Sequence, residues 1–185
     1  MSKQEDRPAE APMLKAKGLL KRNGVRIQEK SLVDELTQRG YGVPEKKNLT
    51  LAFYEALYLM DKGLLEVQNE EGETVSFREV LQHYEGTNPN AWACYLVYRD
   101  LRSRGYVVRE GFGSSVDFRV YERGDYNKDT AKNLVVTVQE GKPIPVETLS
   151  HALTQSLSLK KELILAVMNR RGEIVYYSVS ELTLR

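Results

Sequence analysis

Tyr95–Phe112 reads YLVYRDLRSRGYVVREGF, and a short loop later Asp117–Arg123 reads DFRVYER. The first half of this stretch advances in helical steps. Together with Ala91 and Cys94 just upstream, Tyr95, Tyr98 and Leu101 recur at three- and four-residue spacing. Asn88 and Pro89 stand where a helix from about Asn90 to Arg104 would be capped and opened, and Gly105 where it would end. Then the period changes. Tyr106–Glu110 and Val116–Tyr121 are short β-rich runs separated by glycine and serine. A helix that feeds directly into a run of strands predicts an α+β domain.

The pattern continues downstream. Asn133–Val138 predicts a third strand, Val146–Leu159 a helix, and Glu162–Met168 and Glu173–Val179 two more strands joined by a turn at Asn169–Gly172. The order helix, three strands, helix, two strands implies a mixed sheet. Upstream, Gly86-Thr87-Asn88-Pro89-Asn90 concentrates turn formers and marks a boundary. The expected organisation is a tail over residues 1–12, a small mixed α/β module over 13–86 and the α+β domain over 87–185. The tail, MSKQEDRPAEAP, is charged, Pro- and Ala-rich and without apolar period. Within the module, three helices are expected: one capped by Ser31 and ended near Gly40, one capped by Thr50 and stopped by Gly63, and one opened by the Ser76/Glu79 capping box.

Composition narrows the class. The chain has 185 residues, 41% of them hydrophobic and 29% charged, with a net charge of +1. These are ordinary values for a soluble globular protein. No apolar run approaches the roughly 18 residues that would suggest a membrane span, and no signal peptide opens the chain. A cytoplasmic protein with no membrane partner is the expectation. The single cysteine, Cys94, excludes an internal disulfide and a cysteine-rich metal site, and its apolar neighbours mark it as a structural thiol. The near-neutral charge argues against bulk electrostatic binding of nucleic acid. Eleven tyrosines against four phenylalanines suit half-wet surfaces, or simply strand-rich structure.

The two strings quoted at the outset resemble the nuclease domain of archaeal tRNA-intron endonucleases, which carry a run of the form Tyr-x-Val-Tyr-x-Asp-Leu-Arg-x-Arg-Gly-Tyr-Val-Val. LKKELILAV (Leu159–Val167) and GEIVYYSV (Gly172–Val179) agree in order and spacing, and LTLAFYEALYLMDKGLLEV in the amino-terminal module agrees more loosely. The resemblance implies an RNA-cleaving fold that needs no metal or other cofactor. The 2′-hydroxyl beside the scissile bond attacks the phosphate, leaving a 2′,3′-cyclic phosphate and a 5′-hydroxyl. Such chemistry needs a proton acceptor, a proton donor to the leaving oxygen and a cation on the phosphorane. The family uses a tyrosine, a histidine and a lysine.

By this resemblance the tyrosine falls on Tyr121 and the lysine on Lys161, with Lys160 as the fallback. A phenol titrates near pH ~10, so a basic role for Tyr121 needs a cation nearby; otherwise it is a strand-end tyrosine. A lysine at a helix-to-strand junction has a sufficient bland role against the helix dipole. The histidine is missing. Thr130 occupies its place, or Ala131 if the turn is aligned one residue later. The two histidines of the chain, His83 and His151, stand elsewhere. The family's base-clamping arginine is replaced by Thr154, and its lysine- and aromatic-bearing loop reads Gly111-Phe112-Gly113-Ser114-Ser115.

Three departures at RNA-facing positions describe a retired site on a retained scaffold. The resemblance implies assembly from four nuclease-domain units, with pairing through the carboxy-terminal strand, here Tyr176, Tyr177 and Val179, and docking through a loop that here carries Glu140. The expected function is a structural subunit of a tRNA-splicing endonuclease that removes introns from precursor tRNA at bulge-helix-bulge motifs, partnered by a catalytic subunit in a heterotetramer. Two alternatives stand beside it: an active subunit using Tyr121 and Lys161 with a substitute acid, and a non-nuclease RNA-binding scaffold.

Overall fold

The computed structural model describes residues 15–128 and 130–181; the expected tail over residues 1–12 lies outside them. Two sheets organise the chain. The amino-terminal half builds β1 (Ala16–Lys21), β2 (Gly24–Ile27), α1 (Lys30–Gln38), β3 (Val43–Glu45), β4 (Asn48–Leu51), α2 (Phe53–Asp61), β5 (Leu65–Gln68), β6 (Thr74–Val75) and α3 (Phe77–Glu85). Its six strands lie in the order β3-β4-β2-β1-β5-β6, with β1 and β5 parallel and the other pairs antiparallel.

The carboxy-terminal half follows with α4 (Ala91–Ser103), β7 (Val107–Glu110), β8 (Phe118–Tyr121), β9 (Asn133–Gln139), α5 (Val146–Ser158), β10 (Glu162–Met168) and β11 (Ile174–Val179). The five strands lie in the order β11-β10-β9-β8-β7, and only β9 and β10 run parallel. The fold is α+β with mixed sheets. β9 and β10 are parallel because α5 returns the chain between them, as a crossover connection requires.

The helix starts correct three expectations. Ser31 does not cap α1: it lies inside the helix and its hydroxyl donates to Glu29 at 3.1 Å. Thr50 does not cap α2 either. It is a ladder residue of β4, opposite Arg26, and α2 begins three residues later at Phe53. There the first turn is held by Glu55, whose carboxylate accepts the Ala52 N–H at 2.9 Å. Asn90, not Asn88, immediately precedes α4, and the Asn88 amide oxygen accepts the Asn90 N–H at 2.8 Å. The capping box of Ser76 and Glu79 forms as expected, with the Glu79 carboxylate accepting the Ser76 N–H at 2.7 Å.

One continuous core spans both halves. α2 is buried along Phe53–Leu59, more completely than a surface helix, because it lies between the first sheet and helices α3 and α4. Tyr54 of α2 packs 4.8 Å from Tyr98 of α4 and edge-on to Phe118 of β8 at 5.1 Å. Such aromatic pairs add about 0.5–1.5 kcal/mol each beyond their buried area. A second, smaller core lies on the other face of the second sheet, where Ala152 of α5 meets Leu134, Val136 and Leu163.

Candidate active site

The sheet register brings the residues expected at the tyrosine, histidine and lysine positions, Tyr121, Thr130 or Ala131 and Lys161, to one end of the second sheet. β9 and β10 both begin there, with Asn133 beside Glu162, while the antiparallel β8 ends there, with Val120 opposite Asn133. Tyr121 therefore closes β8 at the level where Lys161 enters β10. Between them run Thr130, Ala131 and Lys132, whose N–H donates to the Val120 carbonyl at 3.1 Å.

Lys161 is placed by the end of α5. The N–H of Lys160 donates to Leu157 at 3.1 Å and that of Lys161 to Ser156 at 2.9 Å. These two bonds close a Schellman motif, which turns the chain sharply from helix to strand. Lys160 sits at the left-handed position of that motif with φ of 53°. The Lys161 ammonium donates to the carbonyl of Ala131. A cleft of about 550 Å³ opens at this point, lined by Glu122, Thr130, Ala131, Lys132, Lys160 and Lys161 among others.

Tyr121 is not on the wall of this cleft; it leads into Glu122, which is. Its half-buried ring meets Tyr126 edge-on, with centroids 5.2 Å apart and planes at 89°. Thr130 is exposed and Ala131 is 3% exposed. Lys132, which the sequence reading passed over, pairs with Glu122 at 2.9 Å and stands 3.9 Å from Asp125. The cleft thus offers ammonium groups partly answered by carboxylates, and no imidazole. His83 lies on α3 with Nδ1 2.9 Å from the Glu79 carbonyl, and His151 is on the exposed face of α5. Neither lines the cleft. Thr154 is exposed on α5 and does not line it either.

Other residues of the matching strings, which do not line the cleft, serve the scaffold. The Asp117 carboxylate accepts the Thr137 N–H at 2.6 Å, and burial pushes its pKa above the usual carboxylate range. Arg119 donates to the Glu110 carbonyl at 2.8 Å and lies 4.4 Å above the Phe112 ring, which ties down the altered Gly111–Ser115 loop. Glu140 sits at the far end of β9, tied to the β10–β11 turn by an Arg170 N–H at 3.3 Å. β11 is an edge strand. Tyr176 faces α4 and its hydroxyl donates to Asp100 at 2.7 Å. Tyr177 points to the opposite face, 52% exposed beside Val175 at 48%, and Val179 packs against the α5 core.

Among the described residues, no group of three or more His, Cys, Asp or Glu side chains could hold a metal ion, and no helix is long and apolar enough to cross a membrane.

The chain is α+β with two mixed sheets, as its helix and strand pattern led us to expect. Comparison with known proteins agrees with the sequence resemblance over both halves. The family model described as the tRNA intron endonuclease catalytic C-terminal domain matches residues 91–176, and that of the tRNA intron endonuclease N-terminal domain matches residues 16–81. The chain belongs to the tRNA intron endonuclease family.

The tRNA-splicing endonuclease of Methanococcus vannielii is 32% identical over 158 residues, which cover 85% of this chain and 89% of that protein. That of Pyrococcus furiosus is 33% identical over 152 residues, covering 82% of this chain and 87% of the relative. The Methanosarcina acetivorans protein is 36% identical over 152 residues, but these make up only 42% of its length.

Proposed function

We propose that this chain is a structural subunit of a tRNA-splicing endonuclease, acting on precursor tRNA in the cytoplasm together with a catalytic subunit in a heterotetramer. The observation that carries this reading is the residue pair at the histidine's place. Thr130 has no group that transfers a proton near neutral pH, and Ala131 is buried and contributes only its carbonyl, to the Lys161 ammonium. Absence of the general acid removes a factor of about 10²–10⁴ in rate. Thr154 at the base-clamp position supplies neither charge nor a planar face for a flipped base.

Assembly is supported by β11. Among the described residues it is an edge strand, with Tyr177 and Val175 exposed on one face, which suits strand addition by a partner. Tyr176, included with Tyr177 in the expected interface, is engaged inward with Asp100, so the apolar contact would fall to Tyr177, Val175 and Val179.

The persistence of Tyr121 and Lys161 favours a second reading, slow cleavage by this chain itself. The two separate by mixing. On a bulge-helix-bulge RNA the structural reading expects no cleavage by this chain alone and cleavage when catalytic subunits from the same source are added. Cleavage by this chain alone that vanishes in Lys161→Ala supports the second reading. Tight, salt-sensitive RNA binding without cleavage in any mixture would instead indicate an RNA-binding scaffold.

A further inference from the structure

The amino-terminal half meets the carboxy-terminal half near Tyr121 at the turn after α1, where Gly40 adjoins Tyr126 and Val107, the ladder partner of Tyr121. Gly40, Tyr41 and Gly42 link α1 to β3, and both glycines are left-handed, with φ of 75° and 62°. Two arginines of the carboxy-terminal half grip this turn. Arg109 of β7 donates to the carbonyls of Gly40 at 3.0 Å and Gly42 at 2.6 Å. Arg102 of α4 lies 3.9 Å over the Tyr41 ring and donates to the Arg39 carbonyl at 3.2 Å. The turn is therefore a fixed surface relative to the second sheet.

Tyr126 is seated on that surface. A Cβ built on Gly40 would stand 3.1 and 3.2 Å from Cε1 and Cζ of Tyr126, and would collide with Val107 Cγ1. Only a residue without a side chain leaves room for the ring there. The Tyr126 ring also meets Tyr121 edge-on, with centroids 5.2 Å apart. The loop that carries Tyr126 is held independently at its other flank, where Lys132 pairs with Glu122 and Asp125. A side chain packed at once against a rigid backbone turn and a second ring restricts that ring's orientation.

We propose that Tyr126 is a positioning residue for Tyr121, seated on Gly40, so that the amino-terminal half sets the orientation of the Tyr121 phenol. This rests on reading Tyr121 as the family's reaction position. It gives the amino-terminal half a role at the site to which it contributes no lining residue of the lysine cleft.

The test uses the full chain labelled with 3-fluorotyrosine and read by fluorine NMR without RNA. Tyr121→Phe identifies the Tyr121 resonance by its loss. Tyr126→Leu removes the ring, Tyr126→Phe keeps it, and Gly40→Ala disturbs the seat. Tyr54 and Tyr98, assigned in the same way, report whether the core is intact. The expected result is a Tyr121 resonance displaced by more than its linewidth in Tyr126→Leu and Gly40→Ala, and retained in Tyr126→Phe, with the two core resonances unmoved.

Should Gly40→Ala disturb the core resonances, Tyr126→Leu alone decides. An unmoved Tyr121 resonance in Tyr126→Leu overturns the proposal, as does an equal displacement in Tyr126→Phe. The measurement needs no cleavage, so it stands apart from the assay that tests the endonuclease reading.

Discussion

Arg109 of β7 reaches across to the amino-terminal half and stands 3.3 Å from the carboxylate of Glu55, in the first turn of α2. Glu55 is 3% exposed, and its carboxylate also accepts the N–H groups of Gly42 at 3.0 Å and Ala52 at 2.9 Å. Burial raises its pKa, against the opposing pull of Arg109 and those N–H groups. The pair joins three segments that the chain order separates, at the seam between the two sheets.

Breaking such a pair from one side leaves a buried charge without its partner. Arg109→Met is expected to destabilise the protein by about 3–5 kcal/mol, and Glu55→Gln combined with Arg109→Met by less than Arg109→Met alone. Urea unfolding of the three proteins measures both. A loss under about 1 kcal/mol in Arg109→Met, the range of an exposed pair, would show that the contact does not hold the two halves together.

Asp117 gives a pH dependence of definite sign. Its folded pKa is raised by burial, so between the ordinary carboxylate value and the raised one the folded state binds more protons than the unfolded. Stability from this group is therefore greatest below both values and falls as pH rises through the window. Asp117→Asn keeps an oxygen to accept the Thr137 N–H and removes the titration. The Tm advantage of the wild-type protein over Asp117→Asn should shrink as pH rises through that window. A difference that stays constant, or grows with pH, contradicts this account.

Lys160 occupies a backbone position that favours glycine. At φ of 53° a side chain costs about 1–2 kcal/mol in a left-handed conformation, partly offset by the entropy that glycine loses on folding. Lys160→Gly should therefore stabilise the chain by about 1 kcal/mol. It should leave Lys161 in place, because the Schellman bonds are made by backbone groups. Thermal unfolding of the variant checks the sign, and a lower Tm would refute it.

The second sheet was the more legible half. The shift from helical to strand period at Gly105 placed α4, β7 and β8 within a few residues, and the apolar run ELILAVM gave β10 its bounds. The amino-terminal strands were harder to read. β1 (AKGLLK) has no clean alternation, and β3 and β6 have three and two residues. β1 and β2 are joined, with Lys21 opposite Gly24, at the two-residue turn Arg22-Asn23, a pair that lacks the Asn-Gly or Asp-Gly signature of such turns. Thr50 misled because its residue type suits a cap, whereas its backbone is committed to the β4 ladder.

Of the site, Tyr121 and Lys161 were reached only through resemblance, since a strand-end tyrosine and a junction lysine have no distinctive local pattern. Glu55 and Arg109 lie 54 positions apart, and no local pattern couples them. Tyr126 and Lys132 likewise gain their significance only when the loop is folded against Gly40 and Glu122.

If the missing acid is what silences the site, restoring it should restore chemistry. Thr130→His or Ala131→His is expected to raise cleavage of a bulge-helix-bulge RNA by the isolated chain by about 10²–10⁴ over its background. Thr130 is exposed and accepts the ring readily, while Ala131 is 3% exposed and requires the turn to open. If both variants stay as slow as wild type while remaining folded, the defect lies elsewhere in the site.

The most direct measurement is single-turnover cleavage of a bulge-helix-bulge RNA by the purified wild-type chain, alone and mixed with catalytic subunits from the same source. The account predicts no cleavage alone and efficient cleavage in the mixture, with 2′,3′-cyclic phosphate and 5′-hydroxyl ends. Efficient cleavage by the chain alone would contradict it, and would mean that a proton donor elsewhere in the chain completes the site.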